Sequence, residues 1–191
     1  MPYVTFNENE EQRLVRRLQE GDESAAREFY ALYANSLAGV CSRYIADEDD
    51  MKDVFQNAFL QIFSHIGDFE YRKEGSLEAW ATKVMVNESL RFLKTRKQHE
   101  LLKPYFDVAD EGTDDLSISD IPPDVILQML SRLPTGYRTV LNLYVFEGKS
   151  HQEIASLLGI KKDSSASQLH KAKQILAKML RKYNDNNTPR R

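Results

Sequence analysis

Ser150 to Leu180 reads SHQEIASLLGIKKDSSASQLHKAKQILAKML, two stretches of helical periodicity separated by a stop. Ser150 and Glu153 have the S-x-x-E spacing in which each side chain satisfies an orphan amide at a helix start, and Gly159 can take the left-handed conformation that ends a helix. Ala155 leaves a small surface where two helices cross closely. In the second stretch Leu169, Ala172, Leu176, Met179 and Tyr183 share one face, and Ser167, Lys171, Gln174 and Lys178 point away from it. Seven Lys or Arg stand against one Asp between Lys161 and Lys182. A solvated face accounts for one or two lysines. A capped helix, a tight turn and so basic a second helix together point to a helix-turn-helix that binds DNA.

Upstream of this pair, Pro134 introduces a helix ending at Gly148, and Pro123 suits the first turn of another over Val125–Leu133. These make a four-helix C-terminal domain. Residues 98–121 lose periodicity, gain acidic and small polar residues and read as a linker, and the tail NDNNTPRR (184–191) reads as disordered. Strand signals are nearly absent throughout. The N-terminal part reads as four helices. The first runs from about Asn7 to Gln19 and stops at Gly21. The second is capped by Asp22, breaks near Asn35 and turns Phe29, Leu32, Tyr33, Leu37, Val40, Tyr44 and Ile45 inward. The third is capped by Asp47 and ends near Ile66 and Gly67; the fourth is capped by Ser76 and runs to about Lys97. The expected fold is all-α, with two small helical domains (7–97 and 122–183) joined by a flexible acidic linker, the C-terminal one a helix-turn-helix.

With 191 residues and 41% hydrophobic content, the chain can bury one sizeable core or two small ones. The net charge of −3 hides strong segregation. Asp107 to Asp124 holds seven acidic residues and no basic one; Lys83 to Lys103 holds six basic against two acidic; Asp47 to Glu70 holds seven acidic against one basic. Such blocks suit one surface for polyanions and another for a basic partner. The single cysteine, Cys41, excludes an internal disulfide and reads as a buried structural thiol. No apolar run reaches membrane-spanning length and MPYVTFNENEEQ lacks the order of a signal peptide, so a cytoplasmic protein without membrane insertion is expected.

On the third helix, Met51, Val54, Phe55, Ala58, Phe59 and Ile62 form a core stripe, with Asp49, Asp53, Gln56, Leu60 and Ser64 opposite. That second face reads either as solvated surface or as a docking surface for a basic partner with Leu60 as its apolar anchor. On the fourth helix, Leu77, Trp80, Ala81, Val84 and Met85 point inward and Lys83, Asn87, Leu90, Lys94 and Lys97 line another side. The loop before it carries Phe69, Tyr71, Arg72 and Lys73, aromatic and cationic groups of the kind that stack on and neutralise single-stranded nucleic acid, and Asn87 is able to pair with a base edge. Trp80 shares the apolar face and reads as core.

These segments, in this order, resemble the extracytoplasmic-function group of bacterial RNA polymerase sigma factors from about Glu10 to Tyr183. Three motifs carry the resemblance: Asp50-x-x-Asp53-x-x-Gln56-x-x-Phe59; the run YRKEGSLEAWATKVMVNESLRFLK from Tyr71 to Lys94; and LP-x3-R ending at Arg138, followed by EG-x-S-x-x-E-I-A-x-L-L-G-I from Glu147 to Ile160. The resemblance implies a transcription initiation factor that binds core RNA polymerase and promoter DNA and is controlled by an anti-sigma factor or other regulator. It assigns polymerase docking to Asp50, Asp53, Gln56 and Leu60. Reading and melting of the minus-ten element fall to Phe69, Tyr71, Arg72, Lys83, Asn87, Arg91 and Lys94, where an aromatic pocket that holds an extruded base turns melting into recognition. Contacts to the minus-thirty-five element fall to Arg138, Ser150, Ser164, Ser167, Gln168, Lys171 and Lys173. The linker is expected to thread toward the RNA exit path.

The last helix departs from the family pattern V-x-S-R-L-x-R-A: Ser165 replaces the valine, Gln168 the first arginine and Lys171 the second. Arg favours guanine and Gln favours adenine, so a different minus-thirty-five preference is expected. A sigma-like decoy for an anti-sigma factor would not need the basic stripes on both DNA-facing helices. An ordinary helix-turn-helix regulator with a helical sensor domain would leave the acidic motif a coincidence. An enzyme is the least favoured reading, and no cofactor or metal is expected. The acids of Asp47 to Asp50 suit a cap and first turn, and His65, His99, His151 and His170 are too scattered for a metal or catalytic site.

Overall fold

A computed structural model describes residues 9–96 and 121–187, and every regular element within them is helical. The chain divides into two compact units, Met1–Cys41 with Asp47–Phe92, and Ser42–Ala46 with Leu93–Arg191.

Four helices occupy the first stretch: α1 (Glu10–Gln19), α2 (Glu23–Tyr44), α3 (Glu48–His65) and α4 (Ser76–Arg96), with a 3-10 turn over Ile66–Asp68. Asn9 caps α1 by accepting from the Gln12 amide at 2.8 Å. At the α1–α2 corner, Arg17 donates to Asp22 (2.8 Å), Glu28 (2.6 Å) and Ser24 (2.7 Å), while Asp22 accepts from the Ser24 amide and so opens α2. Hydrogen bonds from Ser24 and then from Arg17 hold the Asp22 carboxyl well below the usual carboxylate range. Leu14, Leu18, Phe29, Leu37, Val54 and Ile62 are buried at the centre of this unit. Cys41 is fully buried, and its burial pushes the thiol up to about 11.

Three expectations fail here. α2 does not break near Asn35; an exposed Asn costs a helix interior about 0.7 kcal/mol relative to Ala, too little to interrupt a helix packed on both sides of it. Leu32 is 59% exposed, because it lies at the edge of the arc that Phe29, Leu37 and Val40 turn inward. Leu90 is only 8% exposed, so it belongs to the core side of α4 and not to its cationic row.

The second stretch comprises α5 (Pro123–Ser131), α6 (Thr135–Val145), α7 (His151–Leu158) and α8 (Lys162–Asn187). Ile121, read above as the end of the linker, is 8% exposed and packs with Met129 and Leu180; residues 98–120 lie outside the described residues. α6 ends at Val145, short of Gly148, and α8 continues through Asn187 into the stretch read as tail. The start of α7 is as expected: Ser150 Oγ accepts from the Glu153 amide at 3.3 Å, Glu153 Oε2 accepts from the Ser150 amide at 2.8 Å, and Gly159 closes the helix at φ 66°. Gln174, expected to point outward, is 7% exposed. α8 packs against α5, α6 and α7 in turn, so its covered surface is broader than one apolar stripe.

Candidate nucleic-acid interface and docking face

Asp47 accepts from the amides of Asp49 and Asp50 (3.1 and 3.0 Å), which starts α3 and sets its rotation. Val54, Ala58 and Ile62 are then fully buried, and Asp53, Gln56 and Leu60 are exposed together on the far side. Leu60 is 63% exposed, whereas Asp50 is half-buried at the edge of the face. Lys52 is braced at 3.3 Å by both Glu48 and Asp49, which raise its pKa, so the cation closest to the face is engaged by its own turn.

Sequence reasoning missed two aromatic neighbours. Phe63, three residues beyond Leu60, is 36% exposed, and Tyr30 of α2 is 53% exposed with its ring 5.2 Å from that of Phe59. The helical spacing of Leu60 and Phe63 was a usable signal for the first; nothing local announces the second. The face is thus an apolar patch with acidic and amide groups beside it, chemistry suited to a partner that is both basic and apolar.

Along α4, Lys83, Asn87, Arg91 and Lys94 are all exposed, and their steps of four, four and three residues keep them on one side. Lys97 lies outside the described residues. Arg91 is tied at 2.6 Å to Glu88, itself only 8% exposed at the side chain, so a nearly buried carboxylate orients the guanidinium. Phe69 of the preceding loop has its ring 5.1 Å from that of Trp80 on α4, both half-buried, and Arg72 and Lys73 of the loop are exposed. Tyr71 is half-buried, and its hydroxyl accepts from Asn9 Nδ2. The loop is also held by α1 residues that carry no motif. Gln19 Nε2 donates to the carbonyls of Ile66 (3.0 Å) and Phe69 (2.8 Å), and the Glu11 carboxylate accepts from the amides of Gly75 (2.6 Å) and Leu77 (2.8 Å).

In the helix-turn-helix, Ser164, Ser167, Gln168 and Lys171 fall within about a third of the α8 circumference at 3.6 residues per turn, with Ser167 exposed and the others half-buried. Lys173 is on another side, its Nζ 6.0 Å from the Tyr144 ring. Ser150 is spent on the cap described above. Arg138 is 4% exposed and donates to the carbonyls of Ser131 (2.8 Å) and Leu133 (3.4 Å), with burial lowering its pKa. Its position places it among the groups that satisfy the end of α5, not on the surface. Ser165, in place of the family's valine, is fully buried, and its hydroxyl meets His151 Nδ1 at 3.0 Å; His151 in turn stacks on Tyr144 at 4.9 Å.

A family model for Sigma-70 region 2 matches residues 29–99, and one for Sigma-70, region 4 matches residues 124–176. The RNA polymerase sigma-H factor of Pseudomonas aeruginosa is 26% identical over 190 residues, covering 92% of this chain and 96% of that one. The ECF RNA polymerase sigma-E factor of Haemophilus influenzae is 24% identical over 181 residues, covering 87% and 93%. Among solved structures, the sigma factor RpoE of Bartonella quintana, in complex with the anti-sigma factor NepR, is similar at 18% identity with a TM-score of 0.47, covering 81% of this chain and 96% of that one. Two regions of one family, matched in chain order on the two helical stretches, define the class: a promoter-specific transcription initiation factor that works with RNA polymerase. Relatives aligned over nearly their whole length narrow it further. The chain belongs to the sigma-70 family, in its extracytoplasmic-function group. Among the described residues no helix is long and apolar enough to cross a membrane.

Proposed function

We propose that the exposed face of α3 docks on core polymerase, that α4 and its preceding loop read and open the minus-ten element, and that α8 reads the minus-thirty-five element. The observation that carries this reading is the α4 row: Lys83, Asn87, Arg91 and Lys94 are exposed on one side of a helix whose entry loop carries Tyr71 and Phe69, the latter paired with Trp80. Cations there neutralise phosphates, the amide pairs with a base edge, and the loop offers rings to a base that has left the stack. On this reading Asp53, Gln56 and Leu60 carry docking, with Asp50 at its margin. Ser164, Ser167, Gln168 and Lys171 carry minus-thirty-five contacts, and Arg138 supports the domain from inside. The functional domains are residues 7–97 and 122–183. The protein acts in the cytoplasm, has no catalytic residues of its own, and is held in check by an anti-sigma factor or other regulator.

The test is reconstitution: purified chain with core polymerase, assayed for run-off transcription at a discrete promoter selected from random sequence. Lys83→Ala with Lys94→Ala should lower open-complex formation without lowering core binding. Full opening by that variant would remove the α4 row from the role.

A further inference from the structure

Phe69 to Gly75 carries no helical hydrogen-bond ladder, so its backbone groups and those at its ends need other partners. α1 supplies them. Gln19 donates to two carbonyls at the start of the loop, Ile66 and Phe69, and Glu11 accepts from two amides at its end, Gly75 and Leu77. Asn9, the α1 cap, donates to the hydroxyl of Tyr71 between them. The Glu11 carboxylate also sits where the α4 dipole favours an anion, next to Gly75 at φ 81°, a conformation only glycine adopts without strain. One helix therefore grips the loop at its beginning, middle and end, from positions 47 to 66 residues away in sequence.

We infer that α1 is a positioning element for promoter opening: Asn9, Glu11 and Gln19 hold the loop around Tyr71 in the shape that receives an unstacked base. The inference rests on the proposed role of that loop. Its physical content is preorganisation. An irregular loop left to find its shape on DNA would lose conformational freedom at that moment and bind single strands more weakly, whereas one already fixed by side-chain bonds does not. None of the three residues touches DNA on this view; each acts through the loop.

The experiment uses the full chain assembled with core polymerase and a fluorescein-labelled single-stranded oligonucleotide selected by wild-type holoenzyme from a random pool. Gln19→Leu removes both donations, and Glu11→Gln, a milder change, sets an amide against two N–H groups. Each should weaken binding of the oligonucleotide by about fivefold, on the order of one net hydrogen bond. Binding to core polymerase, binding of holoenzyme to minus-thirty-five duplex and the helical circular-dichroism spectrum should stay unchanged. Gln19→Lys, which restores a donor, should recover more of the single-strand binding than Gln19→Leu, and the same substitution at exposed Gln12 of α1 controls for the added charge. Tyr71→Ala separates the inference from its premise. If Tyr71→Ala weakens the oligonucleotide while both α1 variants bind like wild type, α1 does not position the loop. If Tyr71→Ala also binds like wild type, the loop is not a single-strand pocket, and the positioning role falls with it.

Discussion

Replacing Leu60 by Ala and, separately, Asp53 by Lys tests whether docking of α3 is apolar, electrostatic or both. Leu60 is 63% exposed, leaving about 100 Å² of apolar surface for a partner to cover; at about 25 cal/mol per Å² its burial contributes about 2.5 kcal/mol. Truncation to Ala forfeits about 2 kcal/mol of that, about a thirtyfold loss of affinity. Asp53 is exposed, and a solvent-screened pair is worth about 0.2–1 kcal/mol, so reversing the charge should cost about 1 kcal/mol, about fivefold. The leucine should therefore dominate at any ionic strength, while the Asp53 effect should fade as salt shortens the screening length. Both positions lie opposite the stripe of Val54, Ala58 and Ile62, so stability should change by less than about 0.5 kcal/mol. Competition with labelled wild-type protein for core polymerase, at low and high salt and with circular dichroism as a folding control, reads both effects. Wild-type competition by Leu60→Ala, or an Asp53→Lys defect undiminished by salt, would refute the reasoning.

Tyr71→Ala and Asn87→Ala should spare closed-complex formation and impair opening, since stacking contributes about 1–3 kcal/mol per base; permanganate footprints with normal unpaired thymines would remove both residues from the role. Gln168→Arg should move base preference in the minus-thirty-five element toward guanine, whereas Lys171→Ala should weaken all promoter variants alike and reduce the salt slope by about one; a variant panel in holoenzyme measures both. Asp22→Asn should lower stability at neutral pH. The folded Asp22 pKa lies below its ordinary 3.8, so its contribution is complete above that value and is lost as pH falls toward the folded pKa; the gap between wild type and variant in urea melts should shrink below about pH 4.

What could be read in advance was local chemistry. The Asp47 cap, the Ser150–Glu153 box and the Gly159 stop depend on residues at most a turn apart, and with them the rotation of α3 and hence its exposed face followed. A helical wheel served less well where a helix has more than one neighbour. It turned Leu32 inward and put Leu90 and Gln174 outside, because it assumes a single buried stripe. Arg138 shows a different limit. An arginine at the start of a helix in a DNA-binding domain looks like a phosphate contact, but the carbonyls of Ser131 and Leu133 at the end of α5 need donors and take it. Nor does any pattern announce Glu11 or Gln19, whose partners exist only once α1 and the loop are brought together.

The bond between Ser165 and His151 ties two positions into one unit of sequence change. Valine at 165 alone would take the protein partner from a half-buried imidazole nitrogen, and an apolar residue at 151 alone would leave a hydroxyl with no access to water. Each single step is therefore uphill while the double replacement by apolar partners is close to neutral, the signature of sign epistasis across a turn. A chain that has adopted this pair is held to it, and designs that graft a relative's recognition helix onto this scaffold must carry residue 151 along with residue 165.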